Sequence, residues 1–253
     1  MWRIPAVLAL ALLPSCLEVE ATVTLAADGS GKQTIRMAIG EDLLATVKQA
    51  APAAAPGGGD PLLLFQEEQA RKELESAGLS VERYATDKAR GRRNLSIQVA
   101  FAGVAGLRKS PLAGGAADWF FCKGPAQDTV RIEFYPRGRQ AWLEAMERLR
   151  KLPELDQEML RSFFEKQKRQ LQGLDLRFTL DLPTDVVSCS GRWSKTGPRQ
   201  LSATFQAQDI RTMEDLVTAL APRFETVVAA EGITIPLQPA PDEAATTEAA
   251  PRR

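Results

Sequence analysis

Three cysteines, a set of aspartates around one proline and a short run of basic residues are the side chains in this sequence that carry chemistry. Cys16 closes the string Leu13-Pro14-Ser15-Cys16, directly after the apolar run Ile4 to Leu13. A thiolate is the nucleophile of cysteine chemistry, and one placed there is open to lipid attachment. Cys122 and Cys189 stand far apart in sequence, and in an exported chain they can close a disulfide. The loop would span about 66 residues, which is worth about 3–4 kcal/mol on the chain-entropy account. Two buried thiols are the other reading. Neither cysteine lies in a C-x-x-C pair, so the spacing argues against a redox centre. Asp175, Asp181 and Asp185 surround Pro183. Two converging carboxylates cleave glycosidic bonds, but carboxylates beside a turn also simply shape it.

What the chain lacks is equally informative. It contains no histidine, which removes Ser-His-Asp triads, Cys-His dyads and His-ligated zinc. Any enzyme built from it relies on carboxylates, Lys, Tyr or Ser-Lys pairs. No catalytic, cofactor-binding or metal-binding motif is found, and no cofactor is expected. Lys+Arg and Asp+Glu balance at 32 each, so the chain is not a generic nucleic-acid binder.

Residues 1–15 read as a secretory leader: Arg3 in the positive n-region, ten apolar-run residues and a small residue before the cut. The run is too short to span a bilayer, which takes about 20 residues. Leu13, Ser15 and Cys16 resemble the lipobox of bacterial lipoproteins; Pro14 departs from it. The resemblance implies that Cys16 becomes the diacylated N-terminus of the mature chain. Two or three acyl chains give a stable anchor where a single one is marginal. Leu17, in place of an Asp, points to outer-membrane sorting. The alternative is an ordinary secreted protein cut near Ala21, with Cys16 incidental.

The elements that must position these groups follow from hydropathy patterning. Leu17 to Leu25 alternates as a strand, with Glu18 and Glu20 on its polar face. A turn cluster at Asp28-Gly29-Ser30-Gly31 leads to a second strand through Ile35, Met37 and Ile39. A two-residue loop mixes the faces; a three- or five-residue loop sets Val23 against Ile35 or Met37. Lys32 and Arg36 then stand ready for cross-strand ion pairs with Glu18 and Glu20. Glu41 to Ala50 reads as a helix and residues 51–59 as a flexible Ala/Pro/Gly loop. Asp60-Pro61 opens a helix ending at Gly78. Strands are expected at Leu79 to Ala85, Asn94 to Phe101, Asp118 to Cys122 and Thr129 to Tyr135.

Helices are expected at Arg139 to Lys151 and Glu154 to Gln172, the second with a stripe of Leu155, Met159, Phe163 and Leu171. Leu174 to Leu182 alternates strictly, and Val186 to Ser188 and Gln200 to Ala207 add strands. Thr212-Met213-Glu214-Asp215 is a capping box opening a helix through Leu220. Residues 238–253 read as a disordered tail. Lys88, Arg90, Arg92 and Arg93 sit between two strands, a solvated loop or a contact for anionic headgroups at about 1 kcal/mol per charge. Trp119-Phe120-Phe121 is either a core strand or an exposed stacking platform.

The string Cys-Leu-Glu-Val-Glu-Ala-Thr-Val-Thr-Leu with its Asp-Gly-Ser-Gly turn, and the strand Phe178-Thr-Leu-Asp-Leu-Pro183, resemble the ectodomains of LppM-like bacterial lipoproteins. There a hairpin begins right after the lipidated cysteine. The resemblance implies a membrane-anchored ectodomain without an enzymatic site, and carries over no functional residue except Cys16. The expected fold is α+β: an antiparallel sheet packed by helices, one domain over residues 16–237, its N-terminal hairpin joining the C-terminal strands. The expected role is a non-enzymatic envelope lipoprotein, anchored to the membrane through lipidated Cys16 and acting by contact with an envelope protein or lipid. A carboxylate-based periplasmic hydrolase of envelope glycan and a lipid carrier are the alternatives.

Overall fold

The computed structural model describes residues 17–41, 44, 63–110, 117–152, 157–171 and 173–239. Cys16 and the leader, loop 51–59, the start of the helix expected at Asp60, and residues 240–253 lie outside the described residues.

The architecture is α+β, with two mostly antiparallel sheets packed with helices. The strands are β1 (Leu17–Leu25), β2 (Gly31–Gly40), β3 (Ser80–Ala89), β4 (Arg92–Phe101), β5 (Asp118–Lys123), β6 (Thr129–Tyr135), β7 (Leu174–Asp181), β8 (Val186–Ser190), β9 (Ser194–Gly197), β10 (Gln200–Gln206) and β11 (Phe224–Ala229). The helices are α1 (Glu67–Ser76), α2 (Val104–Arg108), α3 (Arg139–Lys151), α4 (Gln157–Gln170) and α5 (Met213–Leu220). One sheet has seven strands in the order β3-β4-β2-β1-β7-β10-β9; the other has four, β5-β6-β11-β8. No described helix is long and apolar enough to cross a membrane.

β1 holds the centre of the larger sheet. It pairs β2 antiparallel and β7 parallel, Leu17 opposite Leu174 and Val23 opposite Leu180. The parallel pair departs from the purely antiparallel pattern expected. It arises because nearly 150 residues separate the two strands, so no tight turn dictates their direction. The first hairpin closes through the five residues Ala26 to Ser30, an odd loop as its pattern requires. Asp28 Oδ1 accepts from the Ser30 amide at 2.9 Å and from its hydroxyl at 2.6 Å. Gly29 takes φ of 83°, a conformation open to glycine at no steric cost. At Gly31 a Cβ would meet the Thr24 carbonyl at 2.1 Å, so only glycine fits.

The register corrects one expectation. Val23 faces Gln33 rather than Ile35 or Met37; Ala21 faces Ile35, Val19 faces Met37 and Leu17 faces Ile39. The apolar face stays whole, but Gln33 is drawn into the core at 1% exposure. Its neighbours in the ladders are Val23 and Val99. Neither side-chain amide atom has a hydrogen-bond partner among the described residues.

The inner faces of both sheets form one core. Trp119 stacks on Phe134 with ring centroids 4.0 Å apart, and Phe134, Phe178, Trp193 and Phe224 continue the contacts across the sheets. Trp119 and Phe121 are therefore core residues, not an exposed platform. Trp193 reaches this stack because the chain leaves β7 in one sheet, turns through Pro183, runs β8 in the other and returns through β9.

Two further expectations change. In α4 the packed side runs through Phe164, which meets Leu171, Ile210 and Leu216, while Phe163 is 41% exposed. Leu171 packs as the stripe predicts, and Phe164 takes the packed place expected for Phe163. Gln238 does not belong to a free tail: its amide donates to the Phe121 carbonyl at 2.7 Å and it bridges Cys122. The capping box forms as read, with Thr212 Oγ1 accepting from the Asp215 amide at 3.0 Å and Asp215 Oδ2 accepting from the Thr212 amide at 2.9 Å.

A buried amide with no partner costs about 1–3 kcal/mol of desolvation. Gln33→Met keeps the volume and removes both polar atoms, so it is expected to raise the unfolding midpoint in urea by about 1 kcal/mol equivalent. An unchanged or lowered midpoint shows that the amide is satisfied.

Candidate functional site

Four groups of side chains have the makings of a site. The first is the end of the seven-stranded sheet where β1 begins. Leu17 pairs Ile39, and Ile39 pairs Arg93, so Leu17 and Arg93 lie two strand spacings apart, about 10 Å. The β3–β4 hairpin turns here through Arg90 and Gly91, with φ of 53° and 72°. Positive φ at both central positions is the two-residue turn that matches strand twist, and Asn-Gly is its usual sequence. Arg90 pays about 1–2 kcal/mol in this region, where a Cβ crowds the carbonyl. It is exposed. Lys88 pairs with Glu41 at 2.6 Å and Arg92 with Glu18 at 2.9 Å. Arg90 and Arg93 make no ion pair among the described residues.

The second is the outer, polar face of the same sheet. A groove of about 330 Å³ runs over β1, β2, β3, β4 and β7, with Glu18, Glu20, Arg36, Asp87, Asp175 and Arg177 along it. Glu20 and Arg36 are direct cross-strand partners at 3.4 Å, as the pattern predicted, whereas Lys32 reaches across to Glu82 at 2.9 Å. Asp175 holds Arg177 through two contacts of 2.8 and 3.2 Å. Hydrogen bonding from Arg177, with a further bond from Gln206, keeps its carboxyl below the usual carboxylate range. A general acid needs the opposite shift. Asp181 accepts from Gln200 at 2.8 Å and from Thr24 at 3.2 Å, and Asp185 pairs with Arg199 at 2.8 Å. Asp175 and Asp181 are six residues apart along β7, about 20 Å, so these two do not converge.

The third was not evident from the sequence. On the outer face of the four-stranded sheet, Glu133 is 1% exposed. Its Oε2 accepts from the Tyr135 hydroxyl at 2.5 Å. Its Oε1 lies 3.2 Å from Arg131 Nε and 3.3 Å from an Arg223 terminal nitrogen, off the line of their N–H bonds. The charge is thus paired, while that oxygen lacks a well-aligned hydrogen bond. Arg223 also pairs with Glu225 at 2.6 Å and lies over the Trp142 ring at 5.2 Å. Burial works against the Arg223 charge, but Glu133, Tyr135 and Glu225 outweigh it and raise its pKa. Burial, with Glu133 beside it, pushes the Tyr135 phenol well above its ordinary value. Alternation of Val130, Ile132 and Phe134 marked Arg131, Glu133 and Tyr135 as the exposed face. Phe120 and Tyr135 on that supposedly wet face, with Trp142 downstream, were the signs that α3 covers it.

The fourth is the cysteine pair. Cys122 lies on β5 and Cys189 on β8, opposite edges of the four-stranded sheet with β6 and β11 between them. Three strand spacings are about 14 Å, and a disulfide needs Cα atoms within about 7 Å. The expected bond between Cys122 and Cys189 is therefore not formed. Cys122 Sγ donates to the Pro239 carbonyl and Cys189 Sγ to the Trp193 carbonyl, each at 3.6 Å. Cys16 lies outside the described residues; β1 starts at the next residue.

No family model matches the chain, and no curated protein matches it. Among solved structures it is similar to the folded domain of LppM from Mycobacterium tuberculosis, determined by NMR. The identity is 11% and the TM-score 0.39, over 86% of this chain and 91% of that one.

The buried cluster makes a pH prediction. The folded pKa of Tyr135 lies above its unfolded value near 10. Its contribution is therefore complete below about pH 10 and is lost as pH rises beyond that. Tyr135→Phe removes the donor to Glu133 and is expected to cost about 1–3 kcal/mol at neutral pH while flattening the alkaline decline. Glu133→Gln leaves Arg131 without this carboxylate and Arg223 with Glu225 alone, and costs about 3 kcal/mol. Denaturant titrations from neutral to alkaline pH measure both; an unchanged alkaline limb in Tyr135→Phe contradicts the assignment.

Proposed function

We propose that this chain is a bacterial envelope lipoprotein, anchored through diacylated Cys16, whose α+β domain acts by contact with protein or lipid rather than by catalysis. One observation carries the reading. The strand beginning at Leu17 is the central strand of the larger sheet, and it follows the lipobox-like cysteine without a single spacer residue. A domain that starts its core strand at the first residue after an anchor rides directly on the membrane surface. The polar outer face of the sheet then stays wet, and the interior needs no lipid to fill it.

The observations favour neither alternative. A glycan hydrolase calls for two facing carboxylates with one raised pKa, and Asp175 is shifted the other way by Arg177. A lipid carrier calls for an enclosed apolar cavity, and the space between the sheets is occupied by Trp119, Phe134, Phe178, Trp193 and Phe224.

The test is the intact mass of the mature protein from the membrane fraction of a bacterial host, beside Cys16→Ala. The expected result is a chain starting at Cys16 with a diacylglyceryl mass, and a variant that stays unprocessed or leaves the membrane. An unmodified N-terminus in the soluble fraction overturns the proposal.

A further inference from the structure

We propose that the end of the seven-stranded sheet at Leu17 is a headgroup-facing surface, and that the β3–β4 hairpin docks it on anionic lipid; the proposal rests on the anchor at Cys16. Three observations converge. First, topology brings the hairpin to the anchor. β4 lies two strands from β1, Leu17 is level with Ile39 and Arg93, and Gly40 is level with Arg92. The turn at Arg90-Gly91 lies about two residues past the level of Leu17, about 7 Å at a strand rise of 3.3 Å per residue, with the Gly91 carbonyl accepting from the Glu41 amide at 3.2 Å. The tip therefore projects toward whatever holds Cys16.

Second, the charge there is left uncompensated in the outward direction. Glu41 and Glu18 neutralise Lys88 and Arg92. The remaining pair, Arg90 and Arg93, makes no ion pair among the described residues, and Arg90 is at the tip. Bidentate guanidinium–phosphate contact is the geometry arginine supplies best. Asp87 lies further from the tip, opposite Asn94, which donates to it at 2.6 Å. Third, Arg90 occupies a left-handed position that glycine or asparagine fills without strain. The fold tolerates this cost to keep a cation at the point nearest the bilayer. The opposite end of the sheet carries the Ala26 to Ser30 loop and the Arg199–Asp185 pair.

Each cation near an anionic surface strengthens binding by about fivefold, and salt screens the effect. The experiment uses the mature protein purified from membranes, with Cys16 acylation read by mass. It is placed on phosphatidylcholine vesicles, or on vesicles in which about a third of the lipid is phosphatidylglycerol. Amide hydrogen exchange is followed at residues 89–93 and, as the far-end control, at residues 26–30. The expected result is exchange about fivefold or more slower at 89–93 on the anionic vesicles than on the neutral ones, reversed by about 0.5 M salt, with 26–30 unchanged. Arg90→Gly relieves the backbone strain, so it is expected to melt no lower than wild type while losing most of the anionic-lipid protection. Arg93→Gln is expected to weaken it further.

Equal exchange at 89–93 on both vesicle types in an acylated protein overturns the docking surface and leaves the anchor standing. Slowed exchange in a chain that carries no acyl group keeps the surface and removes the anchor. Protection at 26–30 instead of 89–93 overturns the orientation, and full protection in Arg90→Gly overturns the role of the arginine.

Discussion

The structure depends on β1 being a two-sided strand. It forms ladders on both edges, antiparallel to β2 over Leu17–Leu25 and parallel to β7 over Leu17–Thr24, which pairs its backbone groups on both sides. Its inner residues Ala21, Val23 and Leu25 are all buried. β2, β4 and β3 are built outward from one edge, and β7, β10 and β9 from the other. Removing β1 would split the larger sheet into two fragments with an apolar face each. The same strand opens at the residue after Cys16, so the proposed anchor would bear directly on the core of the fold.

The second sheet completes the core and adds a buried ionic cluster. Its inner face supplies the aromatic stack on which Phe178 of β7 and Trp193, just before β9, close. Its outer face buries Glu133 against Arg131 on the same strand and Arg223 beside β11. Such a pair contributes little net stability, since desolvation offsets the Coulomb attraction. It does oppose slippage: a one-residue shift of β6 would turn Glu133 into the aromatic stack and Phe134 outward. Gln33 is the contrasting case. It is polar, buried and without a partner among the described residues, the consequence of a register that satisfies Ala21, Val19 and Leu17 first.

Much of this was legible from periodicity. Strict alternation located β1, β4, β6 and β7 nearly to the residue, and β6 and α3 have the bounds read from the sequence. The parity of the first hairpin was fixed by its apolar face, but not its register, because one polar residue on that face is tolerated in the folded state. β9 and β11 escaped notice. β9 is a short Ser-Lys-Thr-Gly segment at a sheet edge, and β11 mixes apolar residues with Glu225 and Thr226 and shows no clean alternation. The buried Glu133 cluster and the separation of Cys122 from Cys189 are tertiary facts: the order β5-β6-β11-β8 places strands β6 and β11 between the cysteines, and no local pattern encodes that. The Phe163 stripe failed for a smaller reason. Phe163 and Phe164 are adjacent, and only the position of α5 decides which of them packs.

The proposed anchor at Cys16 brings the folded domain to the membrane with no tether between them. Neutron reflectometry of the acylated protein on a planar bilayer tests it directly. The account predicts protein density that begins in the headgroup layer, with no hydrated gap. A gap of about 20 Å or more, the reach of a flexible linker of some fifteen residues, would contradict it.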